Sequence, residues 1–143
     1  MAGTTVSTVV EAPAGKVWEL IGDFHALGAW HPDLPPSRRG NDLGGTAVGA
    51  VRLFELGDTE LGETLLAYDD EARSYTYTFA DGTFQLSTYR ATLRVVPVTE
   101  SDAAFVEWSA TYDVEQEHRE ASTALVHGVF TAGLGALRER FAG

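Results

Sequence analysis

EQEHREASTALVHGVFTAGLGALRERF, residues 115–141, decides the fold. Val126, Phe130, Leu134, Leu137 and Phe141 recur at i, i+4, i+8, i+11 and i+15, the spacing of one helix face. The pattern predicts a long amphipathic helix from about Glu115 to Phe141. Arg138 and Arg140 fall in its last turn, where cations complement the helix dipole. Gly128, Gly133 and Gly135 sit inside it, and each costs about 1 kcal/mol against Ala in a helix interior. Close approach to a sheet or to a ligand is expected to offset that cost.

Before this helix the period of the sequence is two. Working backwards, Ala104–Val114, Phe84–Val96 (ended by Pro97), Arg73–Phe79, Leu61–Asp69 and Thr46–Leu56 read as strands. Gly57-Asp58-Thr59-Glu60 and Asp69-Asp70-Glu71 read as turns, and Asp81-Gly82 is a strong hairpin signal. Short connections make these strands antiparallel neighbours. Asp33–Gly45, with Pro35, Pro36, Gly40 and Gly44, reads as loop with room for a short edge strand. Helices are expected over Ala14–Gly22, behind Pro13, and over Phe24–Trp30, stopped by Pro32; Thr4–Glu11 reads as the first strand. The class is α+β: about six or seven strands around one terminal helix. Such a sheet tends to enclose a hollow, and a hollow suits a small apolar occupant.

The length of 143 residues fits a single domain over 1–143 with a proper core. Twenty-one acidic and ten basic residues give a net charge of -11, which repels phosphate backbones, so no nucleic-acid partner is expected. No apolar run approaches membrane-spanning length, and the first apolar stretch lacks the basic flank of a signal peptide. The absence of Cys excludes thiol chemistry and suits a reducing, cytoplasmic interior. The four His are scattered without ligand spacing, so neither metal nor other cofactor is expected. A monomer or a homodimer is consistent with this composition.

Ala12-Pro13-Ala14, Val17-Trp18, Asp23-Phe24, Trp30-His31-Pro32, Gly49-Ala50-Val51-Arg52, Gly62-Glu63-Thr64-Leu65, Tyr68-Asp69-Asp70, Tyr89-Arg90-Ala91-Thr92-Leu93 and Glu107-Trp108-Ser109 occur in order along residues 4–142. This ordered set resembles the polyketide cyclase/dehydrase family of the START-like, Bet v 1-like superfamily. The resemblance implies the helix-grip fold, a curved antiparallel sheet holding the C-terminal helix over an internal cavity. The superfamily holds cyclases, dehydratases, lyases and carriers, so fold leaves function open. Arg52 and Glu63 further resemble the cavity Arg/Glu pair that lachrymatory-factor-synthase-like proteins use for proton transfer. Tyr77, Tyr89 and Trp108 correspond to aromatic residues of that branch's pocket. The chain departs from the branch just before Glu63, where Leu61-Gly62 stands in place of an aromatic residue, so no substrate carries over.

Read from the residues alone, the two charges are ambiguous. Arg52 shares its face with Val48, Ala50, Phe54 and Leu56, and Glu63 shares its face with Leu61, Leu65 and Ala67. Isolated charges on buried faces cost several kcal/mol unless paired. Yet the opposite faces (Val51 and Leu53; Leu66 and Tyr68) are apolar too. An ion pair at the rim of the sheet, or two solvated charges, fits the alternation as well as a buried pair does. If both face the hollow, Glu63 is the candidate general base and acid and Arg52 its charge partner.

Tyr75, Tyr77, Tyr89, Tyr112, Trp108, Phe54 and Phe130 are the candidate aromatic lining, which core packing would explain equally. His127 borders the helix stripe and is a lesser candidate. Trp30 and His31 are expected to be structural, and His25 and His118 exposed. The leading expectation is a cofactor-independent cyclase, dehydratase or isomerase acting on an apolar carbonyl compound. The alternative is a non-catalytic carrier or sensor of a hydrophobic small ligand. A chaperone-like interaction module finds little support.

Overall fold

A computed structural model describes residues 2–80 and 87–142. The strands are β1 (Ala2–Val10), β2 (Arg38–Arg39), β3 (Val51–Leu56), β4 (Thr59–Asp69), β5 (Ser74–Phe79), β6 (Ser87–Val98) and β7 (Ala103–Asp113). They form one antiparallel sheet in the order β1-β7-β6-β5-β4-β3-β2. The helices are α1 (Ala14–Ile21), α2 (Leu27–Trp30) and the 22-residue α3 (Arg119–Arg140), with 3-10 turns at Phe24–Ala26 and Gln116–His118. This is the α+β helix-grip arrangement: a sheet curved around its terminal helix.

The helix stripe behaves as its spacing dictates. Val126, Phe130, Leu134 and Leu137 are buried, and Phe141, just past the last turn, is half-buried. Phe130 stacks on Trp108 of β7 with ring centroids 4.4 Å apart. One of the three helix glycines has a packing reason. A Cβ at Gly133 would stand 2.8 Å from His31 Cδ2 and 2.9 Å from Trp108 Cζ3, too close for any side chain. Gly128 and Gly135 face open space, which corrects the expectation that close approach explains all three.

Several boundaries move for local reasons. β3 begins at Val51 rather than Thr46, because Ala47 and Ala50 donate back to Gly44 and Ala47 as turns and Gly49 takes φ +96°. The hairpin between β3 and β4 is tighter than expected. Leu56 pairs with Thr59, so Gly57-Asp58 makes the turn and Gly57 supplies the positive φ of +66°. Pro97 does not end β6; it pairs in register with Ala104 and the strand runs on to Val98. The predicted hairpin signal Asp81-Gly82 and the start of the strand expected at Phe84 lie outside the described residues. His25 and His118, expected to be exposed, are half-buried.

Two ties fix α1 and α3 to the sheet. Trp18 Nε1 donates to Asp70 Oδ1 at 2.9 Å, and Tyr68 Oη donates to the Gly22 carbonyl at 2.8 Å, binding α1 to the β4–β5 hairpin. Tyr112 Oη lies 3.1 Å from Thr4 Oγ1 and donates to Thr123 Oγ1 at 3.1 Å, linking β7, β1 and α3. Among the described residues, no helix is long and apolar enough to cross a membrane.

Candidate functional site

The β3–β4 register sets Arg52 directly opposite Glu63. Alternation then carries Phe54, Leu61 and Leu65 to the same side, and all three are buried. Arg52 is 0% exposed and Glu63 5%, so the two charges lie inside the sheet's concave face rather than at its rim. Arg52 Nε donates to Glu63 Oε1 at 2.7 Å. Nη2 also stands 2.7 Å from Oε1, but too poorly aligned to count as a hydrogen bond. Every described hydrogen bond to Glu63 therefore ends on one carboxylate oxygen.

Arg52 is held from every other side. Its Nη1 donates to the Phe24 carbonyl at 2.7 Å and reaches Tyr75 Oη at 3.4 Å. The guanidinium carbon lies 3.9 Å from the Phe24 ring centroid and 4.6 Å from that of Tyr77. These aromatic faces attract the cation and fix its plane.

Electrostatics follow from this enclosure. Burial is the largest influence on Arg52 and opposes its charge, but the Glu63 carboxylate with Tyr75 and Tyr77 together outweighs it and holds the guanidinium protonated, above its ordinary value. Burial pushes Glu63 up, Arg52 pulls it down, and burial wins, leaving the carboxyl above its ordinary 4.5. Burial likewise raises Tyr75, Tyr77 and Tyr89, so all three hydroxyls are neutral donors near pH 7.

A cavity of about 130 Å³ opens between the sheet and α3. Glu63, Tyr77, Tyr89, Trp108, Phe54 and Phe130 border it, so six of the ten sequence candidates meet on one wall. Among the described residues Glu63 is the one charged side chain on that wall. Arg52 and Tyr75 stand behind it, Arg52 acting through its contact with Glu63. Trp108 Nε1 donates to Tyr77 Oη at 3.1 Å, and Tyr89 stacks on Phe79 with centroids 4.0 Å apart.

Three candidates for substrate contact are corrected, the first being Tyr75, which stands behind the wall against Arg52. Tyr112 is wholly buried but joins β7 to β1 and α3 and does not border the cavity. His127 is exposed, 3.5 Å from Thr131 Oγ1 on the outer face of α3, because one residue after Val126 is about 100° around the helix from the stripe.

Sequence reasoning missed other parts of the wall. Phe79 was legible as the third aromatic of the Tyr75/Tyr77 face, and Val126 as part of the helix stripe. Leu27, Leu34 and Val129 had no such signal; Leu34 comes from an irregular loop. His31 is 2% exposed and structural. Its Nε2 lies 2.7 Å from the Val129 carbonyl and its Nδ1 accepts from the Asp33 N–H at 3.1 Å. Those partners put the ring proton on Nε2, and burial holds its pKa down. The His were expected to show no ligand spacing, yet the ligand atoms of Glu115, Glu117 and His118 gather within 4.8 Å. That cluster is at the surface and does not border the cavity.

Comparison with known proteins agrees with this architecture. The family model described as "Polyketide cyclase / dehydrase and lipid transport" matches residues 1–142. A Thermobifida fusca protein solved in solution is similar at 38% identity and TM-score 0.89, covering 99% of this chain and 93% of its own. XoxI of Bacillus cereus is similar at 34% identity and TM-score 0.86, covering 99% and 96%. Norcoclaurine synthase of Thalictrum flavum shares the fold, at 19% identity and TM-score 0.76, covering 98% and 93%. No curated protein matches. With residues 1–142 matched and its helix-grip sheet curved over a cavity, the chain belongs to the polyketide cyclase/dehydrase and lipid transport family.

Proposed function

We propose that this protein is a cofactor-independent enzyme that moves a proton within a largely apolar carbonyl compound held in the cavity. The observation that carries the reading is Glu63: a carboxyl on an apolar wall, bound through one oxygen, with an affinity for protons above the ordinary carboxylate. In its ionised form it takes a proton from a carbon next to the carbonyl. The C–H electron pair moves onto the carbonyl oxygen as an enolate, and a neutral tyrosine hydroxyl donates to that oxygen. Returning the same proton at another carbon isomerises the compound; returning it to a departing hydroxyl releases water; attack of the enolate carbon on a second carbonyl closes a ring, and Glu63 returns the proton to the alkoxide so formed.

Arg52 is a positioning residue in this scheme. It fixes the carboxylate through Oε1 and offsets its negative charge, while the aromatic clamp keeps Arg52 itself from turning. The Arg/Glu resemblance to the lachrymatory-factor-synthase-like branch supports the same roles. A second reading, carriage of a hydrophobic ligand, is favoured by the otherwise apolar wall. Incubation in D2O separates the two. With a small ketone, the enzyme exchanges hydrogen for deuterium at the adjacent carbon, and Glu63→Gln slows this at least a hundredfold while ligand binding persists. Binding with no exchange above the buffer rate would leave only the carrier.

A further inference from the structure

The cavity's size and charge narrow its occupant further than the family does. Its volume is about 130 Å³. A cavity of about 150 Å³ accommodates benzene, so room here is on the scale of one six-membered ring. A fused polycycle or an acyl lipid would have to project past the partly exposed rim at Leu34 and Leu125 or displace core side chains such as Trp108 and Phe130, which are 1% exposed and stacked on each other.

Charge is selected as sharply. Arg52 stands behind the wall and is wholly enclosed, its charge paired with Glu63 and its Nη1 held by the Phe24 carbonyl, with Nη2 in salt-bridge contact but not hydrogen-bonded. No other described cation borders the wall, whereas Glu63 does. An anionic group entering the site would meet a carboxylate with no free counter-ion and would lose its hydration. The chain's net charge of -11 adds a repulsive field on approach.

The polar points of the wall have a direction. Trp108 Nε1 is a donor only, and it spends its hydrogen on Tyr77 Oη. The Tyr77 proton must therefore point away from the indole, toward the neighbouring Tyr89 hydroxyl, whose own proton is then left to the cavity. Tyr77 lies on β5 and Glu63 on the neighbouring β4, two residues along from Tyr77's partner Leu65. That diagonal separates side-chain origins by roughly 7–8 Å, so the two side chains rise from neighbouring points of the same face.

We infer that the natural occupant is an uncharged molecule of about one six-membered ring in bulk, with an oxygen that accepts from the linked Tyr77–Tyr89 hydroxyls, rather than a polycyclic polyketide, a lipid or any anion. This rests on the cavity assigned under the proposed function and names its substrate class.

The test is a titration of the 15N-labelled protein, followed through the Trp108 indole N–H and backbone signals, at pH 7. The probes are cyclohexanone, cyclohexanecarboxylate and the tricyclic ketone anthrone. Cyclohexanone is expected to bind saturably and shift the Trp108 indole signal. The carboxylate should bind at least tenfold more weakly, and anthrone should leave the cavity signals unmoved. Tyr77→Phe should weaken cyclohexanone by about tenfold with the spectrum still dispersed; should that variant not fold, the probe series on the unaltered chain decides. Equal or tighter binding of the carboxylate, tighter binding of anthrone, no saturable binding of cyclohexanone, or an unchanged affinity in folded Tyr77→Phe would each overturn the inference. The two readings fail separately. Cyclohexanone that binds without deuterium exchange defeats the enzyme and leaves the size and charge selection standing; anthrone that binds tighter and exchanges does the reverse.

Discussion

Arg52 presents both Nε and Nη2 to one oxygen of Glu63, each at 2.7 Å, and leaves the carboxylate's other oxygen without a described partner. A pair arranged for stability alone would engage both oxygens as a fork. The arrangement instead anchors the carboxylate at one end and leaves the other end to the cavity.

The two partners are not equivalent when orphaned. Glu63 can shed its charge by taking a proton, whereas a guanidinium cannot. Glu63→Leu strands a buried cation and should cost about 3–5 kcal/mol. Arg52→Met should cost less, because the carboxyl then simply stays protonated. The double variant should recover much of the loss. Urea unfolding of the three variants checks this, and equal costs for the two single changes would contradict it.

Activity and stability should respond to pH in opposite directions. The folded pKa of Glu63 lies above its ordinary 4.5, so its stabilising contribution is complete below 4.5 and is lost as pH rises through the folded value. Deuterium exchange needs the ionised form and should rise over that same window. Parallel profiles of unfolding midpoint and exchange rate should therefore cross, and Glu63→Gln should abolish the exchange slope and remove the Glu63 share of the stability slope.

His31 acts in the other sense. Burial lowers its pKa below 6.5, so the unfolded chain takes up the proton first. Stability is full above about 6.5 and falls as pH drops from there toward the folded value. Protonation would also turn Nδ1 from acceptor to donor against the Asp33 N–H. Thermal unfolding between pH 7.5 and 5.5 should show this decline, and His31→Gln should flatten it.

The helix glycines should separate by substitution. Gly133→Ala forces a methyl against His31 and Trp108 and should destabilise by about 1–3 kcal/mol. Gly128→Ala and Gly135→Ala meet no neighbour and should stabilise by up to about 1 kcal/mol. Denaturant midpoints of the three variants give the comparison directly.

The architecture was legible because two periods dominate the chain: two along β4 to β7 and 3.6 along α3. The depth of Arg52 was not, since both faces of β3 carry apolar residues. The structure supplies the reason. The segment at Gly40 lies against Val51 and Leu53, covering the outer face and erasing the polar half of the alternation. On β4 a bulge between Leu65 and Ala67 reverses the alternation and turns Tyr68 to the inner face opposite Tyr75, where its hydroxyl reaches the Gly22 carbonyl. His127 was misread because adjacency in sequence to Val126 is not adjacency on a helix. The volume of the hollow had no signature at all, for it depends on how far Trp108, Phe130 and Tyr89 close it, and that emerges only from three-dimensional packing.

The sheet begins with its first strand beside its last. Ala2 pairs with Tyr112 and Val10 with Ala104, and α3 packs chiefly on β1. A nascent chain leaving the ribosome therefore holds an unmated edge until β7 has emerged. Such distant pairing puts the protein among slow folders, on the millisecond-to-second scale. Through that interval the Val-rich β1 is exposed to other chains, which makes it the segment most open to misassembly.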